Sequence, residues 1–228
     1  VMLSNPPWER IKLQEQEFFA ARDPRIATAA NKAARFRLIT ELIQNNPALH
    51  AEFIAAVHAA DCVSKFLRQR ERFPLTATGD INTYAVFAET IRRLLSPHGR
   101  AGIILPTGIA TDDTTKTFFA DLMQKHSVAG LIGFENEDFI FQEVHNEFKF
   151  CGLTLRGAAL DQTPADFTFF TRYFRQLHDT RRRFQLTAED LALVNPNSRT
   201  CPIFRTSVDA AITKRIYAQI PILVNDTS

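Results

Sequence analysis

With 228 residues, of which 45% are hydrophobic, the chain can form one large domain or a domain plus part of a second, and bulk disorder is not expected. The net charge of only +2 gives no overall basic surface, so contact with nucleic acid has to be argued from local clusters. The three cysteines lie far apart and show no CxxC spacing, which argues against a metal site and a disulfide framework and suits a reducing cytoplasm. No apolar run approaches the length of a membrane span, about 20 residues.

The first part of the chain is predicted to be one short strand followed by helices. Residues 1–4, "VMLS", have the pattern of the end of a buried strand that runs straight into two prolines. Residues 9–73 are polar and alanine-rich, with apolar side chains at helical spacing, as in "NKAARFRLITELIQNN". This stretch is predicted to be a helical insertion, with Pro47 and Pro74 as boundaries.

The middle of the chain alternates helix and strand patterns. A helix is predicted over 83–95, capped by Asp80 or Asn82, with an apolar face of Tyr84, Phe87, Ile91 and Leu94 or Leu95. The run "AGIILPT" predicts a strand covered on both faces, and residues 114–126 predict the next helix. Further strands are predicted in "SVAGLIGF", "NEFKFCGLTLRG" and "ADFTFFTRYF". The expected fold class is therefore α/β, with a parallel sheet that ends in an antiparallel pair.

The last part of the chain differs in composition, which places a domain boundary near 172–185. Residues 1–171 are then one domain, and residues 172–228 are a helical extension that begins with the basic and aromatic "RYFRQLHDTRRRF". Arg172, Arg181, Arg182 and Arg183 are candidates for contact with phosphates, because Lys and Arg clusters neutralise a nucleic-acid backbone. The alternative, a solvated helix surface, holds for these arginines and for the basic run from Lys65 to Arg72.

The stretch "SNPPWERI" at residues 4–11 carries the clearest chemistry. Two prolines fix the backbone after a strand, and ligands bind at the carboxyl ends of strands in open α/β sheets. The Asn5 side-chain oxygen and the Pro6 carbonyl are then two acceptors for one planar amino group, Pro7 stiffens the loop, and Trp8 offers a stacking face.

That arrangement suits methyl transfer to an amino nitrogen that is conjugated with a ring or a carbonyl. The lone pair of such a nitrogen is delocalised, and two acceptors draw the nitrogen towards a tetrahedral geometry from which it can attack a sulfonium methyl group. The alternative is an ordinary turn, since Asn-Pro and Pro-Pro are common loop dipeptides.

Four segments in this order resemble the gamma-class N6-adenine DNA methyltransferases, in particular the large methylases of bifunctional restriction–modification and phage-defence systems. They are the NPPW stretch, "GDINTYAVFAETIRRLLSPHGRAGIILPTGIATDD", "FENEDFIFQEVHNEFKFCGLTL" and "LVNPNSRTCPIFRT". NPPW matches the family's catalytic (N/D)PP(Y/F/W) motif. Together the four segments span nearly the whole chain.

The resemblance implies the C-terminal half of a Rossmann-like fold that uses S-adenosylmethionine, acts on double-stranded DNA and works in a bacterial or archaeal cytoplasm, with restriction or defence subunits as partners. Asn5 and Pro6 would hold the amino group of a flipped adenine, Asn5 would also border the cofactor, and Trp8 would stack on the base. A second stacking aromatic is implied at Phe141, with Phe148 as the alternative, while Phe150 is expected in the core.

The chain departs from the family in one respect, because the glycine-rich cofactor loop and the acidic residue that follows it are expected upstream of NPPW. "HGRAG" at residues 98–102 is no GxGxxG, and its glycines end a helix instead of opening one. We therefore expect a fragment with the catalytic and base-binding half, part of a target-recognition region, and no methyl transfer on its own.

Three alternatives stay open at this point. Asp138, Glu147 and Lys149 imitate a magnesium-dependent nuclease signature, although the pattern is short and common. Enzymes that methylate a glutamine amide of a protein also carry NPPW, but that family is compact, without counterparts of residues 9–73 and 172–228. A non-catalytic DNA-binding or scaffold module in a defence complex is the third.

Overall fold

The computed structural model describes residues 1–69, 72–142, 144–160, 163–220, 222 and 224, without the side chain of Asp138. The chain divides into two compact units, one formed by Val1–Glu9 and Thr83–Ser228 and the other by Arg10–Asn82. The insertion expected over 9–73 lies almost wholly within the second unit. The two units do not divide near residues 172–185, where a domain boundary was expected. The strands at residues 165–171 and 184–186 belong to the same sheet.

The second unit is helical, as its sequence predicts. It contains α1 (Glu15–Ala20), α2 (Pro24–Ala27), α3 (Lys32–Asn45) and α4 (Pro47–Leu67). The side chains of Asn31 and Asn46 accept hydrogen bonds from the amides of Ala34 and Leu49, which caps α3 and α4. Pro47 is the first residue of α4, a position where a missing N–H costs nothing.

Aromatic rings build the core of this helical unit. The ring centroids of Phe18, Phe19 and Phe53 lie 4.9 to 5.4 Å apart, and Ile26, Ile39 and Leu42 complete the cluster. Such a core explains why so many phenylalanines occur in the chain. No helix among the described residues has both the length and the apolar character that crossing a membrane requires.

The first unit contains a six-stranded sheet with helices. Its strands are β1 (Met2–Ser4), β2 (Arg100–Pro106), β3 (Val128–Glu135), β4 (Lys149–Arg156), β5 (Ala165–Thr171) and β6 (Phe184–Leu186). Its helices are α5 (Thr83–Leu94), α6 (Gly108–Thr111), α7 (Lys116–Gln124), α8 (Ala188–Val194) and α9 (Ser207–Gln219). These confirm the sequence-based elements, except that the four-residue α6 and the three-residue β6 were not predicted.

The sheet is mixed, with the strand order β1-β2-β4-β3-β5-β6. Only β1 with β2 and β3 with β5 pair in parallel, while β4 runs antiparallel to both β2 and β3, and β6 is antiparallel to β5. The expected parallel sheet with a terminal antiparallel pair is therefore corrected. The described residues between β3 and β4, 136–142 and 144–148, form a short 3-10 turn and a loop, and β4 returns beside β3 and separates it from β2.

One face of the sheet is closely packed and the other is more open. On β2, Ala101, Ile103 and Leu105 are buried, whereas Gly102 and Ile104 are only half-buried. The expectation that this strand is covered on both faces is thus wrong. Fully buried phenylalanines and a leucine of α7 contribute to the core of this unit, namely Phe118, Phe119 and Leu122.

Two further expectations about burial are wrong. The strand at residues 1–4 is present but lies at the sheet edge, so Val1 and Leu3 are 99% and 84% exposed instead of buried. On α5, Tyr84 and Ile91 are buried as expected, but Phe87 and Leu94 are exposed. The small residues Ala85 and Ala88 are buried instead of Phe87 and Leu94. Helical periodicity alone does not predict this difference.

Candidate functional site

The NPPW stretch forms the loop that leaves the carboxyl end of β1. Ser4, the last residue of the strand, is paired with Ile103 of β2, so Asn5 continues at the edge where open α/β sheets bind ligands. Asn5 is exposed and Pro6 is buried. Among the described residues, none forms a hydrogen bond with the Asn5 side chain or the Pro6 carbonyl. Both acceptors expected from the sequence therefore have no partner in the described part of the chain.

Thr83, the first residue of α5, holds this loop through three hydrogen bonds. Its hydroxyl donates to the Pro7 carbonyl at 2.7 Å and accepts from the Glu9 amide at 2.9 Å, and its own amide donates to the Glu9 carbonyl at 2.9 Å. Sequence reasoning missed this residue. A threonine at a helix start is a local signal, but the partner lies more than 70 positions away.

Trp8 lies half-buried beside this attachment. Its indole N–H is buried and has no hydrogen-bond acceptor in the described part of the chain. A buried donor without a partner costs free energy, so it indicates a missing acceptor such as water or a ligand. No aromatic ring contacts the Trp8 ring among the described residues, and its role as a stacking face stays a prediction.

Asn5 also lines an open cleft of ≈ 510 Å³ on the less packed face of the sheet. The floor of the cleft includes Ile104 and Ile132, which both pair in register with Gly152 of β4. An ideal Cβ built on Gly152 would meet nothing within 4 Å, so a side chain at this position would project into the open space of the cleft. The cleft therefore offers an apolar surface directly beside the Asn5 acceptor.

The loop between β3 and β4, which carries Phe141 and Phe148, is fixed by one buried side chain. Asn136 is 0% exposed, and its amide nitrogen donates to the carbonyls of Phe141 at 3.0 Å and Val144 at 2.8 Å. Its amide oxygen accepts from the Phe141 backbone at 3.0 Å, and its own backbone N–H donates to the Phe148 carbonyl at 3.1 Å. Sequence reasoning also missed Asn136, because nothing local distinguishes it from a turn asparagine.

The rings at this loop form a stacked group. Phe134 and Phe150 stack with centroids 5.1 Å apart, and Phe141 meets Phe150 edge-on at 4.9 Å. Phe150 is buried, as expected, whereas Phe148 is 48% exposed. Phe150 lies on β4, which is separated from β1 by β2.

Three of the four arginines considered for DNA contact are already engaged. Arg172 pairs with Glu135 and Glu137, each at 2.8 Å, and Arg181 forms two 2.9 Å bonds with Asp179, whose pKa it lowers. Arg182 donates to the carbonyls of Phe169 and Phe170. Arg183 is exposed, and its side chain has no hydrogen bond or ion pair with the described residues. Phosphate contact stays a prediction for all four.

Of the residues that imitate a nuclease signature, the side chains of Glu147 and Lys149 are described. The Asp138 side chain lies outside the described residues, the Glu147 carboxylate is exposed, and the Lys149 ammonium faces Glu135 at 3.8 Å. In the part of the chain that the structure describes, no group of three His, Cys, Asp or Glu side chains is placed to hold a metal ion.

Titratable groups near the loop are kept neutral by burial. Burial and the nearby Asp112 carboxylate raise the pKa of Tyr84, next to Thr83, to about 12. Burial also raises the pKa of the Cys151 thiol and of the Cys201 thiol. Burial disfavours the thiolate form of both cysteines, so neither thiol is a nucleophile at neutral pH.

No protein-family model and no curated protein matches the chain. Among solved structures, the type IIG restriction endonuclease BpuSI is 20% identical over 47% of this chain and 12% of its own, with a TM-score of 0.35. A methyltransferase subunit of a type I restriction-modification system from Streptococcus thermophilus is 14% identical over 60% of this chain and 34% of its own, with a TM-score of 0.43. LlaBIII, an ATP-dependent type ISP restriction-modification enzyme bound to DNA, is 8% identical over 74% of this chain and 10% of its own, with a TM-score of 0.36. The chain thus spans 10% to 34% of the length of these proteins.

Proposed function

We propose that this chain is the catalytic and base-binding part of a DNA methyltransferase that methylates the N6 amino group of a flipped adenine. The observation that carries the proposal is the NPPW loop, which leaves the carboxyl end of β1 with the Asn5 side chain and the Pro6 carbonyl both free to accept. Pro7 and the Thr83 hydroxyl hold the loop, so the acceptors are organised before a substrate arrives.

In the proposed reaction the two acceptors bind the two hydrogens of the adenine amino group. This geometry localises the nitrogen lone pair and directs it at the methyl group. S-adenosylmethionine supplies an electrophilic sulfonium methyl: its C–S bond breaks as the new N–C bond forms, and the sulfur departs as a neutral thioether. Asn5 and Pro6 stabilise the positive charge that develops on nitrogen until one proton leaves to solvent.

The residues around the loop fit this substrate. Trp8 and Phe141 are the proposed stacking faces for the flipped base, with Phe148 as the alternative on the same loop. Extruding a base costs a few kcal/mol, and stacking at about 1–3 kcal/mol per base offsets that cost. Of the cofactor site, Asn5 and the cleft beside it are the parts that this chain offers. Double-stranded DNA is the proposed partner, in a restriction or defence setting, with Arg183 the freest of the four arginines.

The test uses the full-length gene product with S-adenosylmethionine and duplex DNA, followed by mass spectrometry of the digested nucleosides. Asn5→Ala should lower the yield of N6-methyladenine by at least about 100-fold, the scale expected when a group that stabilises developing charge is removed. Asn5→Asp is the matched control, because it keeps an acceptor oxygen and should retain activity.

Two outcomes would contradict the proposal. Unchanged adenine methylation by Asn5→Ala would remove Asn5 from the reaction. Methyl transfer to protein glutamine, or none at all to DNA, would favour the glutamine-amide or scaffold alternative. Residues 1–228 tested alone should transfer no methyl group, and measurable transfer would show that the chain is sufficient.

A further inference from the structure

A second cavity, of ≈ 300 Å³, lies at the carboxyl ends of β2 and β3 and has no part in the proposed reaction. Its aromatic walls are Phe134, Phe169 and Phe170, and Ile203 lies at its rim. Its polar groups include the Thr107 hydroxyl, the carboxylates of Asp112 and Glu135, and the Lys149 ammonium. Flat apolar walls with both donors and acceptors at one end are the composition of a small-molecule site.

The Thr107 hydroxyl points to a missing partner. Its oxygen is buried and forms no hydrogen bond within the described part of the chain, although the Thr107 backbone is fully used. The Thr107 amide donates to the Lys149 carbonyl at 3.2 Å, and its carbonyl accepts from the Ala110 amide at 3.0 Å. The Thr107 backbone is therefore fixed, while the described part of the chain leaves its buried hydroxyl without a partner, which a ligand or water would satisfy.

The aromatic wall contains a strained residue. Phe170 has φ 58°, in the left-handed region that is unfavourable for a bulky side chain. It lies where the pairing of β3 with β5 shifts register: Ile132 pairs with Thr168, but Phe134 pairs with Thr171. Such bulges turn a side chain out of the regular sheet pattern, and strain of this kind concentrates at functional sites.

Arg182 and Arg205 hold the strained wall in place. The Arg182 guanidinium donates to the carbonyls of Phe169 at 3.0 Å and Phe170 at 2.7 Å, and the Arg205 guanidinium lies 4.6 Å from the Phe170 ring centroid. Two cations thus support a backbone that would otherwise relax. This gives Arg182 a role as a positioning residue for the cavity wall.

We infer that this cavity binds a single unstacked nucleobase, separate from the base at the NPPW loop. Phe170, the least buried of the three rings, lies against one flat face of the ring system, and the edge of the ring system meets the Thr107 hydroxyl and Asp112 as acceptors and the Lys149 ammonium as donor. That the flat heterocycle is a nucleobase rests on the proposed function in DNA methylation. The base comes either from a DNA strand or from a free nucleoside, and both share this chemistry.

The test is an NMR titration of the chain with the four deoxynucleosides, then with a single-stranded DNA octamer and its fully abasic counterpart. Saturable shifts of the Thr107, Gly133 and Phe170 amides are expected. Shifts with the octamer but not with its abasic counterpart identify a DNA base, and shifts with nucleosides alone identify a free nucleoside. No saturable shift with any of these probes at millimolar concentration overturns the inference.

Thr107→Val separates binding from folding. The isosteric valine removes a buried hydroxyl without a partner, so the melting temperature should stay equal or rise, while affinity for the nucleobase falls about 3–10-fold, the value of one hydrogen bond. Thr107→Ser keeps the hydroxyl and is the control. Equal affinity of the valine and serine variants contradicts the assignment of this hydroxyl to the ligand.

The inference and the proposed function fail separately. Asn5→Ala should leave nucleobase binding in the second cavity unchanged, since Asn5 does not line it. If Asn5→Ala retains methylation while the cavity shifts persist, the proposed function fails and the cavity stands. If the shifts are absent while Asn5→Ala abolishes methylation, only the cavity assignment fails.

Discussion

The two loops that carry the candidate site are held in different ways. The NPPW loop is stiff by composition, because two prolines restrict its backbone, and the Thr83 side chain is enough to attach it to α5. The loop with Phe141, between β3 and β4, has no proline. The buried Asn136 side-chain amide fixes its backbone through three hydrogen bonds. A loop with little conformational freedom needs few anchors, whereas a freer loop needs a buried polar one.

Asn136→Ala should have the largest effect on stability. It removes hydrogen bonds to the Phe141 and Val144 backbones in a fully buried position and leaves those groups without partners. We expect a loss of about 2–4 kcal/mol in the free energy of unfolding, measured by urea titration. Amide exchange of residues 139–148 should accelerate while that of α5 stays slow. Asn136→Asp, which places a buried carboxylate oxygen against the carbonyls of Phe141 and Val144, should destabilise the chain at least as much.

High pH should weaken the NPPW side of the site. Tyr84 has a pKa of about 12 in the folded chain, against about 10 when unfolded, so the folded state favours its neutral form. Its contribution is complete below pH 10 and is lost as the pH rises towards 12, a change of at most about 2–3 kcal/mol. Tyr84→Phe should abolish this part of the alkaline loss in urea titrations across that pH range. An unchanged slope in the variant would show that other groups cause it.

Thr83→Val should have a smaller effect, because it breaks only the side-chain bonds to Pro7 and Glu9 and leaves the prolines intact. We expect a loss of about 1–2 kcal/mol, with Thr83→Ser close to the parent because it keeps the hydroxyl. In the full-length gene product, the valine variant should lower the rate of methyl transfer more than DNA affinity. A loss as large as that of Asn136→Ala would refute the view that the two prolines supply most of the stiffness of this loop.

The sequence predicts the parts of the fold that depend on local pattern. The periodicity of α3, α4 and α5 and the apolar runs of β2 and β3 are readable because each signal lies within one segment. Three features could not be predicted from the sequence: the mixed strand order, the three-residue β6 and the half-buried side of β2. They depend on how distant segments pair. The same limit applies to the site: NPPW is visible in four residues, but the partners of Thr83, Asn136 and Arg182 are tertiary contacts.

The central claim is that the NPPW loop holds the amino group of an adenine in DNA. Its most direct measurement is single-molecule sequencing of DNA from a host without adenine methylation that expresses the full-length gene product, as the parent or as Asn5→Ala. We expect N6-methyladenine in one recurring sequence context with the parent and none with the variant. Methylation on cytosine, or the same adenine pattern with both proteins, would contradict the account.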